Sequence, residues 1–353
     1  MIIRKNTKKI KVGNIHIGGD APISVQSMTN TDTRDAEATI KQIQELEKVG
    51  CEIIRVAVPD MKAAKVLGEM KKNINIPLVA DIHFQADLAI EAMRQGVDKV
   101  RINPGNIGDE DKVEKVVSLA KEKNIPIRIG VNAGSLEKEI LEKYKGEATA
   151  EAMADSAMKH IKILEKYDFR EILISLKASD IERTVEAYRL LSKKVDYPLH
   201  IGVTEAGTKF RGTVMSSIGL GILLYEGIGD TLRVSLTGDC REEIKVGFEI
   251  LKSLNLRKKG ITVTSCPTCG RTEIDLVGLA EKVEREMQKI KKDKDIHVAV
   301  MGCVVNGPGE AKDADLAIIG GKKQGLIMKD GEIVKKVEED RLLEEFIEEV
   351  RKY

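Results

Sequence analysis

The chain has 353 residues, more than the roughly 250 to 300 that one hydrophobic core usually supports, so we expect a large and a smaller domain. Charged residues make up 33% of the chain, but 58 Lys and Arg offset 57 Asp and Glu, which leaves a formal net charge of +1. This balance argues against a nucleic acid or a membrane surface as partner. The first residues, MIIRKNTKKIKVG, lack a signal-peptide core, and no apolar stretch is long enough to span a membrane, so we expect a cytoplasmic protein.

Eight short apolar runs of strand length follow one another along the chain. They cover residues 23–28, 51–58, 77–84, 99–105, 126–134, 171–179, 198–207 and 231–238. Amphipathic helical stretches lie between them, for example at 37–50, 61–73, 111–124 and 153–167. Strands that alternate with helices pair in parallel through crossovers. Eight such units predict a closed (β/α)8 TIM barrel of about 250 residues, whereas the open doubly wound sheet, the second choice, rarely repeats its unit so often.

Basic residues lie towards the carboxyl ends of five of these strands. They are Arg55, Arg101, Arg128, Lys177 and Arg233. Side chains two or four residues apart on a strand share a face, which places Asp81 with His83, Arg128 with Asn132 and Arg233 with Ser235. The carboxyl ends of the strands carry the active site of a TIM barrel. Closure of the barrel should therefore bring the five cations to one mouth.

Two interpretations of these cations are open. Each could be a buried ion pair, although Asp81 and Glu205 are the only nearby carboxylates predicted on the strands. An excess of cations in a concave mouth favours instead an anionic ligand of the diphosphate type, because guanidinium groups match phosphate oxygens.

Other titratable side chains near the strand ends have different interpretations. Glu205 follows Thr204 after the seventh strand, and an anionic ligand facing it would raise its pKa, so that it could donate a proton. His83 is a candidate site residue because it lies beside Asp81. We interpret His200 as a buried histidine whose ring bonds to backbone groups. Cys51 and Cys240 are interpreted as unreactive packing residues.

The pattern changes after the basic segment 253–260, which is a candidate hinge for closure on a substrate. A strand, a helix, two more strands and a terminal helix follow it. We therefore predict a barrel domain over 1–255 and an α+β domain over 256–353.

Three cysteines of the second predicted domain are spaced like metal ligands. Cys266 and Cys269 stand in SCPTCG, and Cys303 stands in MGCVVNGPGE. A structural zinc site needs four closed Cys or His ligands and fits poorly, whereas an iron-sulfur cluster tolerates one replaced thiolate at a functional iron. The nearest fourth ligand is Glu310, and an iron could exchange this carboxylate for a substrate oxygen. A zinc-ribbon remnant and a redox disulfide remain alternatives.

These segments, together with VQSMTNTDT, LVADIHF, VRINPGNIG, RIGVNAGSL, ISLKAS and GVTEAG, resemble the 4-hydroxy-3-methylbut-2-enyl diphosphate synthase family of the non-mevalonate isoprenoid pathway, in its two-domain form, over essentially the whole chain. The resemblance implies reductive ring opening of 2-C-methyl-D-erythritol 2,4-cyclodiphosphate with loss of water. It also implies a 4Fe-4S cluster, reduced ferredoxin or flavodoxin as electron donor, and a homodimer whose active sites are shared between chains.

The resemblance also implies a role for each candidate residue. Arg55, Arg101, Arg128 and Lys177 would hold the diphosphate, with Arg233 as a further candidate, while Asp81, His83, Asn132, Thr204, Ser235 and Asn306 would surround the ligand. Cys266, Cys269, Cys303 and Glu310 would bind the cluster, and Glu205 would protonate the departing hydroxyl. Two other functions stay open, namely a redox-neutral dehydratase with the same cluster and a barrel with a structural zinc module.

Overall fold

The computed structural model describes residues 2–257, 260–290, 292 and 294–353. The described chain starts with a hairpin of two antiparallel strands, β1 Ile10–Val12 and β2 Ile15–Ile17. This hairpin was not predicted, although IKVGNIHI alternates apolar and polar residues around a Gly-Asn turn.

Eight parallel strands form a barrel, as predicted. They are β3 Ser24–Met28, β4 Ile53–Ala57, β5 Leu78–Asp81, β6 Lys99–Ile102, β7 Ile127–Asn132, β8 Ile172–Lys177, β9 His200–Ile201 and β10 Thr231–Leu232. Their spatial order is β8, β7, β6, β5, β4, β3, β10, β9. A parallel bridge between Ile174 and Leu199 links β8 to the chain just before β9 and completes the ring. Each strand is shorter than its apolar run. In seven of the eight the last residues of the run turn into a loop, whereas β3 only starts one residue later than its run.

Helices surround the barrel on its outer face. They are α1 Ala36–Lys48, α2 Met61–Lys65, α3 Leu67–Lys72, α4 Ala86–Arg94, α5 Glu110–Lys123, α6 Lys138–Lys143, α7 Ala150–Lys166, α8 Ile181–Ser192, α9 Lys209–Tyr225 and α10 Cys240–Ser253. Six of them begin after an Asp or Thr whose side chain accepts a backbone N–H of the first turn: Asp35, Asp60, Asp109, Thr149, Asp180 and Asp239. These caps satisfy backbone donors that a helix leaves free, so the sequence sets where the helices start.

The two ends of the barrel differ in character. At the amino end of the strands, the hairpin residues Ile10, Val12 and Ile17 pack against the inward-facing Ile53 and Leu173. This apolar plug closes the floor of the barrel. The opposite end, which we call the mouth, carries the charged residues that lie at the carboxyl ends of the strands.

The second unit is built on a five-stranded sheet in the order β11, β12, β13, β14, β15. The strands are β11 Gly260–Ser265, β12 Asp295–Met301, β13 Leu316–Ile319, β14 Gln324–Lys329 and β15 Glu332–Glu338. The first three are parallel and the last two antiparallel. The helices are α11 Leu276–Met287, α12 Gly307–Glu310 and α13 Leu342–Lys352. The hairpin β14–β15 was not predicted, although Asp330 and Gly331, both with positive φ, form the Asp-Gly turn that favours one.

The contacts divide the chain into two compact units, the first of which ends at Arg257. We keep the boundary between 1–255 and 256–353 as a proposal. Residues 258 and 259 of the predicted linker lie outside the described residues. Within the described part of the chain, no helix combines the length and the apolar character needed to cross a lipid bilayer.

Candidate active site

Asp81 stands at the carboxyl end of β5 and brings two of the predicted cations together. Its Oδ1 lies 3.2 Å from Nη1 of Arg101, and its Oδ2 lies 3.4 Å from Nη1 of Arg55. All three side chains are buried. Burial acts to raise the pKa of Asp81, but the guanidinium groups of Arg55, Arg101 and Arg128 outweigh it and hold the pKa well below its ordinary value. Asp81 is therefore a charged clamp for two arginines.

A glycine fixes the direction of Arg101. Nη2 of Arg101 donates to the carbonyl oxygen of Gly130 at 2.6 Å, and the backbone N–H of Gly130 donates to Oδ1 of Asn103 at 2.9 Å. A Cβ at position 130 would overlap Nε of Arg101. Strand β7 thus leaves space for the side chain from β6 to cross its inner surface.

Arg233 has an acidic partner that was not predicted from the sequence. Its Nη2 lies 3.7 Å from Oε1 of Glu243 on α10, and Oε2 of Glu243 accepts from Ser27 at 2.9 Å. Glu243 lies on the buried face of the amphipathic helix α10, and a carboxylate on that face was the sequence feature that could have indicated this partner. Arg233 and Arg55 also both contact Sδ of Met28. The ion-pair interpretation is therefore right for Arg55, Arg101 and Arg233.

Arg128 and Lys177 are different. Both are buried, at 0% and 8% exposure, and in the described ranges neither forms an ion pair with a carboxylate. Burial, and after it Arg55, Arg233, Arg128 and Arg101, lowers the pKa of Lys177 far below its ordinary value. Because the positive charges of these four arginines act on Lys177, the five predicted basic groups lie near one another at the mouth. Two carboxylates, Asp81 and Glu243, face five cations there, so an excess of positive charge remains.

The remaining predicted site residues of the barrel lie at the rim of the mouth. Asn132, Thr204 and Ser235 are half-buried, and His83 and Glu205 are exposed. The ring of His83 lies 3.1 Å from Nη1 of Arg101, and burial together with Arg101 lowers the pKa of the imidazole. Glu205 has a φ of 54°, a left-handed conformation that is uncommon for a glutamate and occurs preferentially at functional sites. The roles of these residues stay predictions.

His200 is buried, as predicted, but among the described residues its ring bonds to a side chain and not to the backbone groups that we expected. Its Nδ1 lies 2.6 Å from the hydroxyl oxygen of Thr231, because the two residues stand opposite each other on β9 and β10. Cys51 and Cys240 are buried as well, and burial raises the pKa of Cys51 to about 12. Neither thiol is placed to react.

The three remaining cysteines stand on two loops that leave the same edge of the second sheet. We call residues 266–272 and 302–310 the cysteine loops. Cys266 directly follows β11, and its Sγ accepts from the backbone N–H of Gly302 at 3.4 Å, one residue before Cys303. Thr272 closes the first loop, because its hydroxyl accepts from the N–H of Cys269 at 3.1 Å. Cys266 and Cys303 are half-buried and Cys269 is exposed.

The second cysteine loop favours a thiolate and carries the predicted fourth ligand. Backbone N–H groups of Asn306, Val305 and Gly307 point at Cys303 and lower the pKa of its thiol. Glu310 ends α12, and its N–H donates to the carbonyl oxygen of Asn306 at 3.0 Å. Both Asn306 and Glu310 are exposed. Across the described residues, no three His, Cys, Asp or Glu side chains are close enough to hold a single metal ion together.

Two family models match almost the whole chain. The GcpE TIM-barrel domain matches residues 7–248, and the GcpE protein C-terminal domain matches residues 262–352. The chain belongs to the GcpE family. The two matches correspond to the barrel unit and to the unit that carries the cysteine loops.

Curated relatives named "4-hydroxy-3-methylbut-2-en-1-yl diphosphate synthase (flavodoxin)" are similar to the chain over almost all of its length. The protein of Clostridium perfringens is 60% identical over 98% of this chain and 98% of its own length. The protein of Geobacter sulfurreducens is 60% identical over 99% and 98%, and that of Caldanaerobacter subterraneus subsp. tengcongensis is 61% identical over 99% and 98%.

Solved structures of other proteins share the barrel fold. Dihydropteroate synthase from Yersinia pestis superposes with a TM-score of 0.51 at 11% identity, over 70% of this chain and 98% of its own. The enzyme from Burkholderia cenocepacia gives a TM-score of 0.51 at 13% identity, over 70% and 96%. At this identity the likeness concerns the fold alone.

Proposed function

We propose that the chain converts 2-C-methyl-D-erythritol 2,4-cyclodiphosphate into 4-hydroxy-3-methylbut-2-enyl diphosphate by reductive ring opening and loss of water. Its family membership and the names of its relatives support this reaction. The structural observation that carries the proposal is the mouth, where two buried cations, Arg128 and Lys177, have no carboxylate partner among the described residues. A ligand with two linked phosphates would supply the missing negative charge.

The cations and the polar rim would divide the work of binding. Arg55, Arg101, Arg128 and Lys177 would hold the diphosphate, with Arg233 beside them, while Asp81, His83, Asn132, Thr204, Ser235 and Asn306 would surround the rest of the ligand. The shared contact with Asp81 orients Arg55 and Arg101 before the ligand arrives. Glu205, exposed at the rim, would hand a proton to the departing hydroxyl, which leaves as water.

Cys266, Cys269, Cys303 and Glu310 would hold a 4Fe-4S cluster. The donor set fits, because three free thiols stand on neighbouring loops and backbone N–H groups stabilise the Cys303 thiolate. A cubane cluster takes one protein ligand at each iron, so its ligands are spread more widely than those of a single ion. When bound, the cluster supplies electrons one at a time and offers the substrate an iron with an exchangeable carboxylate. Reduced flavodoxin, which the names of the relatives mention, or reduced ferredoxin would return electrons to the cluster.

Replacement of Glu310 tests the exchangeable ligand. We expect Glu310→Ala to keep part of the cluster and to lose most activity, because three thiolates remain but the carboxylate is gone. Cys303→Ser should lose the cluster itself. Iron content and turnover of the two anaerobically purified variants give the answer. Equal loss of iron in both would contradict a special role for the carboxylate.

We further propose that the chain forms a homodimer through α9. Apolar side chains on one face of this helix are exposed: Phe210, Val214, Ile218, Ile222 and Tyr225. A Cβ on Gly221, near the end of this face, would meet nothing within 4 Å. The segment 212–225 has no charged residue in a chain that is 33% charged. An uncharged apolar face matches its own copy across a two-fold axis, so the occupant we propose is a second copy of this chain.

Ile218→Glu should shift the sedimentation coefficient to that of a monomer, because a charge would be buried at the centre of the interface. An unchanged dimer would refute this interface.

If the active site is shared between two chains, two inactive variants should complement each other. A barrel variant, Arg128→Met, and a loop variant, Cys303→Ser, are each expected to be almost inactive when the substrate concentration is below the wild-type KM. If the barrel of one chain works with the cysteine loops of its partner, co-expression should recover about a quarter of the wild-type activity, because half of the dimers are mixed and each has one intact site. Absence of any recovery would show that each chain is complete alone.

Turnover tests the proposed function as a whole. Oxygen-free protein, the cyclic diphosphate and reduced flavodoxin should give the linear diphosphate, detected by mass spectrometry. The same mixture without a reductant should give no product. Turnover without a reductant would favour the redox-neutral dehydratase, and protein that contains zinc without iron would favour the structural zinc module.

A further inference from the structure

A second set of buried polar side chains lies inside the barrel and shares Arg128 with the mouth. We call Gln26, Lys99, Arg128 and His200 the inner polar layer. Their exposed fractions are 1%, 0%, 0% and 0%. Lys99 precedes Arg101 by two residues on β6, so it shares the inward face and lies about 7 Å further from the mouth. Lys99 is not among the residues to which the family resemblance assigns a role.

The inner polar layer has donors without acceptors. In the described part of the chain Nζ of Lys99 has no hydrogen-bond partner, and neither do Nε and Nη2 of Arg128, Nε2 of Gln26 and Nε2 of His200. A contact across the layer joins Nη1 of Arg128 to Oε1 of Gln26 at 3.4 Å. Asp98, the neighbour of Lys99 in sequence, bonds elsewhere, to Lys71 at 2.7 Å and to the N–H of Leu78 at 2.7 Å. Among the described residues, Lys99 and Arg128 thus have no carboxylate within hydrogen-bond distance.

All but one of the charged groups near Lys99 oppose its protonation. Arg128 on β7 and Arg55 on β4 act against it, and Asp98, the residue before it, acts weakly in favour. Burial is the largest effect, and the pKa of Lys99 is well below its ordinary value. His200 faces the same layer, and burial, Arg128, Lys177 and Lys99 lower the pKa of its imidazole so that it stays neutral. Burial and repulsion therefore favour the uncharged amine of Lys99 in the free protein.

We propose that Lys99 takes up a proton from solvent when the cyclic diphosphate binds in the mouth. This inference rests on the proposed function of the mouth. The incoming ligand offsets the cations above Lys99, and in a water-poor interior that change acts strongly over the short distance between the layers. Arginine stays charged throughout, so the groups that can take up a proton are the amines. Lys177 in the mouth is a second amine whose pKa is lowered, and the share of Lys99 is the part of the uptake that its replacement removes. The ligand itself does not titrate, since each phosphorus of a cyclic diphosphate carries one strongly acidic oxygen.

Calorimetric titration of the anaerobic cluster-loaded protein with the cyclic diphosphate at pH 8.5 measures this proton. The binding heat is recorded in buffers of different ionisation enthalpy, and its slope gives the number of protons taken up. We expect about half to one proton for the wild type. Lys99→Met, which keeps the side-chain length and removes a buried amine, should lower the slope by the share of Lys99 without lowering the thermal stability, and the remaining slope is the share of Lys177. Lys115→Met, the same replacement at an exposed lysine of α5 outside the barrel, should keep the wild-type slope.

The outcomes separate the inference from the proposed function. A wild-type slope of zero with intact binding, or an unchanged slope in Lys99→Met, would overturn the role of Lys99 and leave the substrate assignment untouched. Failure of the cyclic diphosphate to bind at all would overturn both. The wild-type protein alone provides a second test, because proton uptake requires its Kd to rise with pH, by up to about tenfold per pH unit above pH 8.5. A Kd that does not change with pH would contradict the inference.

Discussion

The barrel mouth and the cysteine loops bring their functional groups together in different ways. In the mouth, the strands themselves place the charged groups, and Asp81 and Gly130 hold Arg101 in one direction before any ligand is present. In the second unit, the thiols stand on loops, and Cys269 is exposed. A group on a strand is fixed by the sheet, whereas a group on a loop needs its ligand to complete the arrangement. The fold therefore builds the anion site in advance and leaves the proposed cluster site to be completed by the cluster.

The largest effect is expected where the ligand completes the site. Cys303→Ser should reduce turnover by a factor of more than about 1,000 and should remove most of the iron, because one ligand in four is lost and the rest stand on loops. Cys240→Ser is the matched control, since Cys240 is buried at the start of α10 and belongs to neither loop. Iron content and turnover are measured on both variants. Equal iron loss in the control would mean that the loops are not special.

The mouth should respond to Arg128→Met with lost affinity and retained fold. We expect the Kd for the cyclic diphosphate to rise about 100-fold, the effect of losing one or two charge-assisted hydrogen bonds. Thermal stability should stay the same or rise, because the replaced charge is buried and has no carboxylate partner in the described ranges. Calorimetry and thermal unfolding test both statements, with the exposed Arg94→Met as the neutral control. Unchanged affinity would refute the assignment of Arg128.

Acid should loosen the mouth through Asp81. The pKa of this carboxyl is lowered in the folded protein, so its stabilising contribution is complete above the unfolded value of about 4 and is lost as the pH falls below that value. We expect this single group to contribute about 2 kcal/mol to the loss of unfolding free energy between pH 5 and pH 2. Asp81→Asn should remove that share of the slope. Identical slopes in both proteins would show that Asp81 is not the clamp described here.

The smallest effect concerns the space that a glycine leaves. Gly130→Ala should push Arg101 away from Asp81 and raise the Kd about tenfold, since the added methyl group overlaps the guanidinium stem. Gly134→Ala, just beyond the same strand, is the matched control, because a Cβ there meets nothing within 4 Å. Calorimetry on the two variants separates a lost direction of Arg101 from a general effect of alanine in this segment. Equal Kd values would show that Arg101 tolerates the displacement.

The parts of the structure that could be predicted are those that depend on local periodicity. All eight barrel strands follow from apolar runs, and the inward direction of Arg101 and Arg128 follows from the alternation of a strand. The partner of Arg233 could not be predicted in this way, because Glu243 comes from a helix that packs across β3 and β10. The deep position of Lys99 in the barrel could not be predicted either, since it depends on the register of β6 against β5 and β7. Neither of the two hairpins was predicted, although both have turn sequences that indicate them.

The roles of the rim and loop residues depend on a ligand, which no periodicity can place. Glu205 shows one structural sign of function, its left-handed backbone. Glu310 shows none beyond its position at the end of the short helix that follows Cys303. These two carboxylates are therefore the residues whose assignments depend most on experiment.

Iron and acid-labile sulfide in oxygen-free protein test the central claim most directly, because the claim is that a phosphorylated molecule held in a cationic mouth is reduced at a cluster with one exchangeable ligand. We predict about four irons and about four sulfides per chain. Zinc in place of iron, or a single iron without sulfide, would contradict the account.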